Sequence, residues 1–200
     1  MSGRYRTAVT VAPITRLGLN LPNLISLGRL LLAPLAIWLI LGGRYGAAFW
    51  VFVCAGVSDA LDGFIAKRFN RRTRIGALLD PIADKTLLVS VYVTLGIAHQ
   101  LWPAVVIVVV FRDVMIVGGF LLIQTMASMP KHYDPLYISK INTGLQITLI
   151  AFVLARLGLG TDTGALGVVL SIGVMMTTVL SGLSYLVRWA RILARSEQVW

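Results

Sequence analysis

Ser58-Asp59-Ala60-Leu61-Asp62-Gly63-Phe64-Ile65-Ala66-Lys67 and, beyond a basic run, Gly76-Ala77-Leu78-Leu79-Asp80-Pro81-Ile82-Ala83-Asp84 decide how this chain is read. Half of its eight acidic residues fall in this one region, and the surroundings are apolar. Carboxylates are costly in such a setting, so a cluster of them implies something to hold. Asp59 and Asp62 are three residues apart, and Asp80 and Asp84 are four apart. Each pair therefore projects from one face of a helix.

Composition fixes the setting of those helices. The 200-residue chain is 58% hydrophobic and 13% charged, with a mean hydropathy of +0.84, as in integral membrane proteins. Six apolar stretches, near 24–42, 46–66, 77–97, 101–124, 138–158 and 164–187, match or approach the length that crosses a ~30 Å hydrocarbon core. The expectation is an all-α, single-domain bundle of six transmembrane helices over residues 1–200, preceded by a cytoplasmic or interfacial arm, 1–23.

Charge gives the orientation. Arg4, Arg6 and Arg16 lie in the arm, and Lys67, Arg68, Arg71, Arg72 and Arg74 lie in the 67–75 connection. Lys131 and Lys140 follow in the 125–140 segment, and Arg188, Arg191 and Arg195 in the tail. Only Arg44 and Arg156 fall on the other side. Thirteen against two places both termini inside. The net charge of +10 thus points to anionic lipid headgroups, with no nucleic-acid partner. No cleavable signal peptide is expected, and the acid-free arm suits an interfacial or an organellar targeting segment.

Several residues have structural readings. Cys54 is expected as a small packing residue. Ala55, Gly56, Ser58, Gly118, Gly119, Gly164, Gly167, Gly173, Ser181 and Gly182 are expected at close helix contacts. Trp38, Trp50, Trp102 and Trp189 read as interfacial anchors, and His99 and His132 as surface residues.

The second span runs inward and the third outward, which makes them antiparallel neighbours whose aspartate pairs meet near the cytoplasmic end. Oxygen-only ligands with no His or Cys beside them favour two hard cations, Mg²⁺ or Mn²⁺. Two such ions form a clamp suited to phosphoryl chemistry. Gly63 and Gly76 leave room for a phosphate or nucleotide, and Lys67 and Arg68 supply phosphate-binding charge at the mouth. A rival reading is an ion or proton transporter, which would spread its acids over several spans at mid-depth. A membrane scaffold is a third, and it leaves the single sign of the charges unexplained.

The pattern Asp59-x2-Asp62-Gly63-x2-Ala66-Lys67-x8-Gly76-x3-Asp80-x3-Asp84 resembles the signature of the CDP-alcohol phosphatidyltransferase family, with Lys67 where the family has Arg. That exchange removes bidentate phosphate pairing, for which Arg68 is the neighbouring substitute. The resemblance implies a six-helix membrane enzyme that transfers a phosphatidyl group from CDP-diacylglycerol to an alcohol and releases CMP. It implies Asp59, Asp62 and Asp80 as metal ligands, and Asp84 as both ligand and general base. It also implies Gly63, Ala66 and Gly76 around the cytidine diphosphate, and a homodimer.

Pro22-Asn23-Leu24-Ile25-Ser26-Leu27-Gly28-Arg29, Phe111-Arg112-Asp113-Val114-Met115 and Ile138-Ser139-Lys140-Ile141-Asn142-Thr143-Gly144-Leu145-Gln146 look like the eukaryotic-type cardiolipin synthase branch. The phosphatidylglycerophosphate synthase branch is similar, but has Gly-Lys-x-Lys-Thr where this chain has Ser-Lys-x-Asn-Thr. The implied acceptor is phosphatidylglycerol, with glycerol 3-phosphate the alternative and inositol phosphate a third. The expected location is a bacterial inner membrane with the site facing the cytoplasm, ahead of the mitochondrial inner membrane. Arg29, Lys85, Arg112 and Lys140 are candidate acceptor contacts. Their alternatives are a carboxylate partner for Arg29, snorkelling for Lys85, ion pairing by Arg112 and Asp113 that holds helices together, and positive-inside anchoring for Lys140.

Overall fold

The computed structural model describes the backbone of residues 21–69, 74–126, 137–161 and 164–196, and side chains over 27–59, 85–119, 137–161 and 164–190. Residues 1–20, the 70–73 and 127–136 connections and the expected placement of His132 lie outside these residues, and residues 21–23, expected in the arm, already belong to the first helix. Six helices make up the described elements: α1 (Leu21–Leu41), α2 (Tyr45–Phe69), α3 (Arg74–Ile97), α4 (Pro103–Met126), α5 (Tyr137–Leu159) and α6 (Gly164–Ser196). Each coincides with an expected apolar span. The differences are at the ends: α2 and α3 extend into the basic connection, so Lys67, Arg68 and Arg74 are helical, and α6 continues well past 187.

Three tight reversals bring one end of the bundle together, each with a residue in the left-handed region. Gly43 (φ 70°) follows α1, His99 (φ 56°) follows α3 and Gly160 (φ 66°) follows α5. The backbone closes behind them, with Arg44 N donating to Leu39 O at 2.8 Å and Gln100 N donating to Leu95 O at 2.9 Å. These bonds satisfy carbonyls that a helix C-terminus leaves open. Pro103 then opens α4 at the first helical position, where its missing N–H costs nothing.

α1 packs against both α2 and α3, α2 against α5, α5 against α6, and α4 against α6 and α3. Over the described residues it is therefore α1 that lies against both carriers of the aspartate pairs. The core runs through Ile40, Tyr92, Leu95, Val105, Leu149, Ile150 and Leu154, all fully buried. At the reversal end α2 and α5 approach through Gly46 and Gly158. A Cβ on Gly158 would lie 2.7 Å from the Gly46 Cα, so neither helix can carry a side chain there.

The expected small-residue contacts divide. Ala55 is fully buried, Gly119 faces the Trp189 ring, Gly167 faces Phe152 and Gly182 faces Met115. Gly56, Gly118 and Gly173 have open space where a Cβ would stand, so they do not set helix spacing. Cys54 is exposed and is not the packing residue expected, because the buried face of α2 runs through Ala48, Phe52 and Ala55. Trp38, Trp50 and Trp102 are exposed at the reversal end. Trp189 differs, since its half-buried ring stacks onto α4 over Gly119.

Among the described residues, Tyr137–Leu159 and Gly164–Ala190 are each long and apolar enough to cross a membrane, and shorter apolar segments lie in α1, α2 and α3.

Candidate active site

The aspartate pairs sit on the halves of α2 and α3 that face away from the three reversals. Asp59, Asp62, Gly63, Ala66, Lys67 and Arg68 belong to α2, and Gly76, Asp80 and Asp84 to α3. Continuous helix through both pairs preserves the three- and four-residue spacing that aligns each on one face. The side chains of Asp62, Ala66, Lys67, Arg68, Asp80 and Asp84, like the surroundings of Gly63 and Gly76, lie outside the described residues.

Asp59 is described, and it is held. Its Oδ1 lies 2.7 Å from Nη1 of Arg29, whose side chain is 2% exposed against 48% for Asp59. The carboxylate alternative for Arg29 is thus the one found. The guanidinium comes from α1, so this ion pair links α1 to α2. The second oxygen of Asp59 makes no hydrogen bond among the described residues, so this carboxylate retains a donor that suits a hard divalent cation.

Directly after Asp84 on α3 begins a second polar cluster. Lys85 Nζ donates to Asp113 Oδ2 at 2.7 Å, and Arg112 Nη1 donates to Asp113 Oδ1 at 2.6 Å. Arg112 Nη2 also donates to Ser139 Oγ at 2.6 Å and to Ser181 Oγ at 2.7 Å. Arg112 and Asp113 are 3% and 2% exposed. The ion-pair alternative for these two is found, and it joins α3, α4, α5 and α6. Lys85 does not snorkel, because Asp113 offers its ammonium a partner within the bundle. Two cations and one anion leave this near-dry cluster with one positive charge in excess. Lys140 is exposed at the start of α5 and takes no part in the cluster.

The polar seam continues along α5. Asn142 Oδ1 accepts from Thr177 Oγ1 and from Thr178 Oγ1, each at 2.9 Å, and Tyr92 Oη donates to the main-chain carbonyl of Gln146 at 3.1 Å. Asn142 and Gln146 are fully buried. Sequence reasoning missed the hydrogen bonds of Ser139, Asn142, Thr177, Thr178 and Ser181. Their signal was present on α5, where Ser139 and Asn142 are three apart and so share a face.

Comparison with known proteins agrees with this arrangement. The family model for CDP-alcohol phosphatidyltransferase matches residues 19–183. A chloroplastic CDP-diacylglycerol–glycerol-3-phosphate 3-phosphatidyltransferase 1 of Oryza sativa subsp. japonica is 34% identical over 194 residues, covering 88% of this chain and 59% of that protein. The cardiolipin synthase (CMP-forming) of Rattus norvegicus is 35% identical over 151 residues, covering 68% of this chain and 50% of that protein. The CDP-diacylglycerol–glycerol-3-phosphate 3-phosphatidyltransferase of Escherichia coli strain K12 is 32% identical over 176 residues, covering 84% and 93%. The chain thus spans 59% and 50% of the length of the rice and rat proteins. A match from the first helix well into the sixth, with the aspartate pattern on α2 and α3 inside it, means that this chain belongs to the CDP-alcohol phosphatidyltransferase family.

Proposed function

We propose that this chain transfers a phosphatidyl group from CDP-diacylglycerol to an alcohol and releases CMP, in anionic phospholipid synthesis. The observation that carries the reading is the Asp59, Asp62, Asp80 and Asp84 pattern on α2 and α3 within a family match over 19–183. The four acids of the pattern sit on two helices at one end of the bundle, and the further buried acid, Asp113 on α4, is paired with Lys85 and Arg112, which speaks against the transporter alternative.

In this reading Asp59, Asp62, Asp80 and Asp84 hold two divalent cations, Mg²⁺ or Mn²⁺, which supply charge neutralisation on the diphosphate and on the departing phosphate. Lys67 and Arg68 bind phosphate oxygens, and Gly63, Ala66 and Gly76 admit the cytidine diphosphate against the backbone. Arg29 fixes one oxygen of Asp59, which sets the direction of its other donor. Asp84 accepts the proton of the acceptor hydroxyl as its oxygen attacks the phosphorus bearing the diacylglycerol. The P–O bond to CMP breaks and CMP leaves as the anion. Lys85 and Arg112, with their one positive charge in excess, meet the anionic part of the acceptor, and Lys140 stands at the same inner end.

Phosphatidylglycerol is the favoured acceptor, giving cardiolipin. Asn142, standing where the phosphatidylglycerophosphate branch would have Lys, is buried against two threonines, a site that suits a neutral amide. Glycerol 3-phosphate is the second reading, supported by the names of the rice and E. coli relatives. Exposed large apolar side chains such as Leu31, Trp50, Ile107, Phe111, Tyr137 and Val169 support a lipid-facing bundle of six membrane spans, and the thirteen-to-two distribution of Lys and Arg supports both termini inside. The location read from the sequence is a bacterial inner membrane, and the family resemblance supports a homodimer. Labelled CDP-diacylglycerol incubated with each acceptor in turn, with products separated by chromatography, tests the reading. Cardiolipin is expected, consumption of glycerol 3-phosphate alone overturns the acceptor, and no CMP release with any alcohol overturns the activity.

A further inference from the structure

The bundle end away from the aspartates holds a cavity that the proposed transfer does not use. About 120 Å³ of space opens where the turn after α3, the last turns of α5 and the first turns of α6 meet. Leu101 and Val153, both nearly fully buried, form its deeper wall together with Phe152. Gln100, Trp102 and Arg156 line it nearer the surface. Gly164 and Gly167 contribute no side chains on the α6 side, which keeps the space open.

Arg156 is the telling residue. It is one of two cations at this end, and the other, Arg44, sits 5.3 Å from the centre of the Trp38 ring. Arg156 is half-buried, and among the described residues its guanidinium makes no ion pair, hydrogen bond or ring contact. Its place in the last turn of α5 is favoured by the helix dipole, but that does not supply the guanidinium with an acceptor. A cation lining a partly apolar cavity at a membrane boundary calls for an anion with an apolar continuation. Trp102, 48% exposed beside it, marks the level at which headgroups lie.

We propose that this cavity binds the phosphate of an anionic phospholipid from the leaflet opposite the aspartates, with Arg156 paired to the phosphate and the upper acyl chain against Phe152 and Val168. The site rests on the membrane placement proposed above and is independent of the transfer reaction. Native mass spectrometry of the full chain in mild detergent, titrated with phosphatidylserine, an anionic phospholipid that is not a proposed acceptor, or with phosphatidylcholine, tests it on the wild type, Arg156→Gln and Arg44→Gln. Loss of one charge-assisted contact predicts about tenfold weaker retention of one phosphatidylserine in Arg156→Gln. Retention in Arg44→Gln and CMP release in Arg156→Gln should match the wild type. Equal retention in Arg156→Gln, or an equal loss in Arg44→Gln, overturns the proposal. Displacement of the lipid by inorganic phosphate at equal concentration also overturns it, by assigning the site to a free anion. The binding readout stands apart from turnover, so its failure is separable from a failure to release CMP.

Discussion

Lys85 on α3 is clamped to Asp113 on α4 by a 2.7 Å ion pair, and the opposite oxygen of the same carboxylate takes Arg112 at 2.6 Å. One buried anion therefore serves two cations from two helices. Removing it leaves both unpaired in a setting with little water, which is far costlier than losing the pair as a unit.

Asp113→Ala should lower stability by about 3 kcal/mol, read as a reduced thermal midpoint in detergent. The double variant Lys85→Met with Asp113→Asn, which removes one cation along with the charge, should recover part of that loss. Equal destabilisation by the single and double variants would contradict the shared-anion arrangement.

Arg29→Gln should raise the Mg²⁺ concentration needed for half-maximal CMP release by about tenfold, the usual cost of losing a group that orients a metal ligand. The pairing of Arg29 with one oxygen of Asp59 motivates this expectation. An unchanged metal requirement would separate Arg29 from the proposed centre.

Asp84→Asn should abolish turnover while leaving nucleotide binding largely intact, measured by CMP release beside binding of a labelled cytidine nucleotide. Retained turnover would remove the general-base role. Treatment with a chelator should likewise stop CMP release, and added Mg²⁺ or Mn²⁺ should restore it.

Gly158→Val should force α2 and α5 apart, because its Cβ would stand 2.7 Å from the Gly46 Cα and backbone cannot yield as a side-chain tip can. A loss of about 2 kcal/mol is expected, in the range of overpacked cores. Gly56→Ala, which meets open space, is the control and should melt like the wild type.

Much of this was legible beforehand because the controlling quantities are local. Apolar runs, Pro103, Gly43 and Gly160 delimit the helices with little help from tertiary contacts, so the expected apolar stretches and the observed helices coincide apart from their ends. The aspartate pattern is local in the same sense, since two helical spacings fix two faces. The pairing of Lys85 with Asp113 was not legible, because it joins residues 28 apart and nothing in either neighbourhood names the other. Arg112 with Ser181, 69 apart, is a longer case of the same kind. Cys54 was misread for a related reason: its small neighbours signal packing, but only the direction of the α2 face decides which of them is buried.

The order of residues alone determined six apolar helices, the placing of the four-aspartate pattern on two of them and the membership of a family, because composition and periodicity act within a few turns. Which cation answers which carboxylate, that α1 lies against both α2 and α3, and that Arg156 overlooks a cavity were decided only when the helices packed. Those outcomes depend on rotation and depth between elements, and burial then sets how much each polar contact is worth.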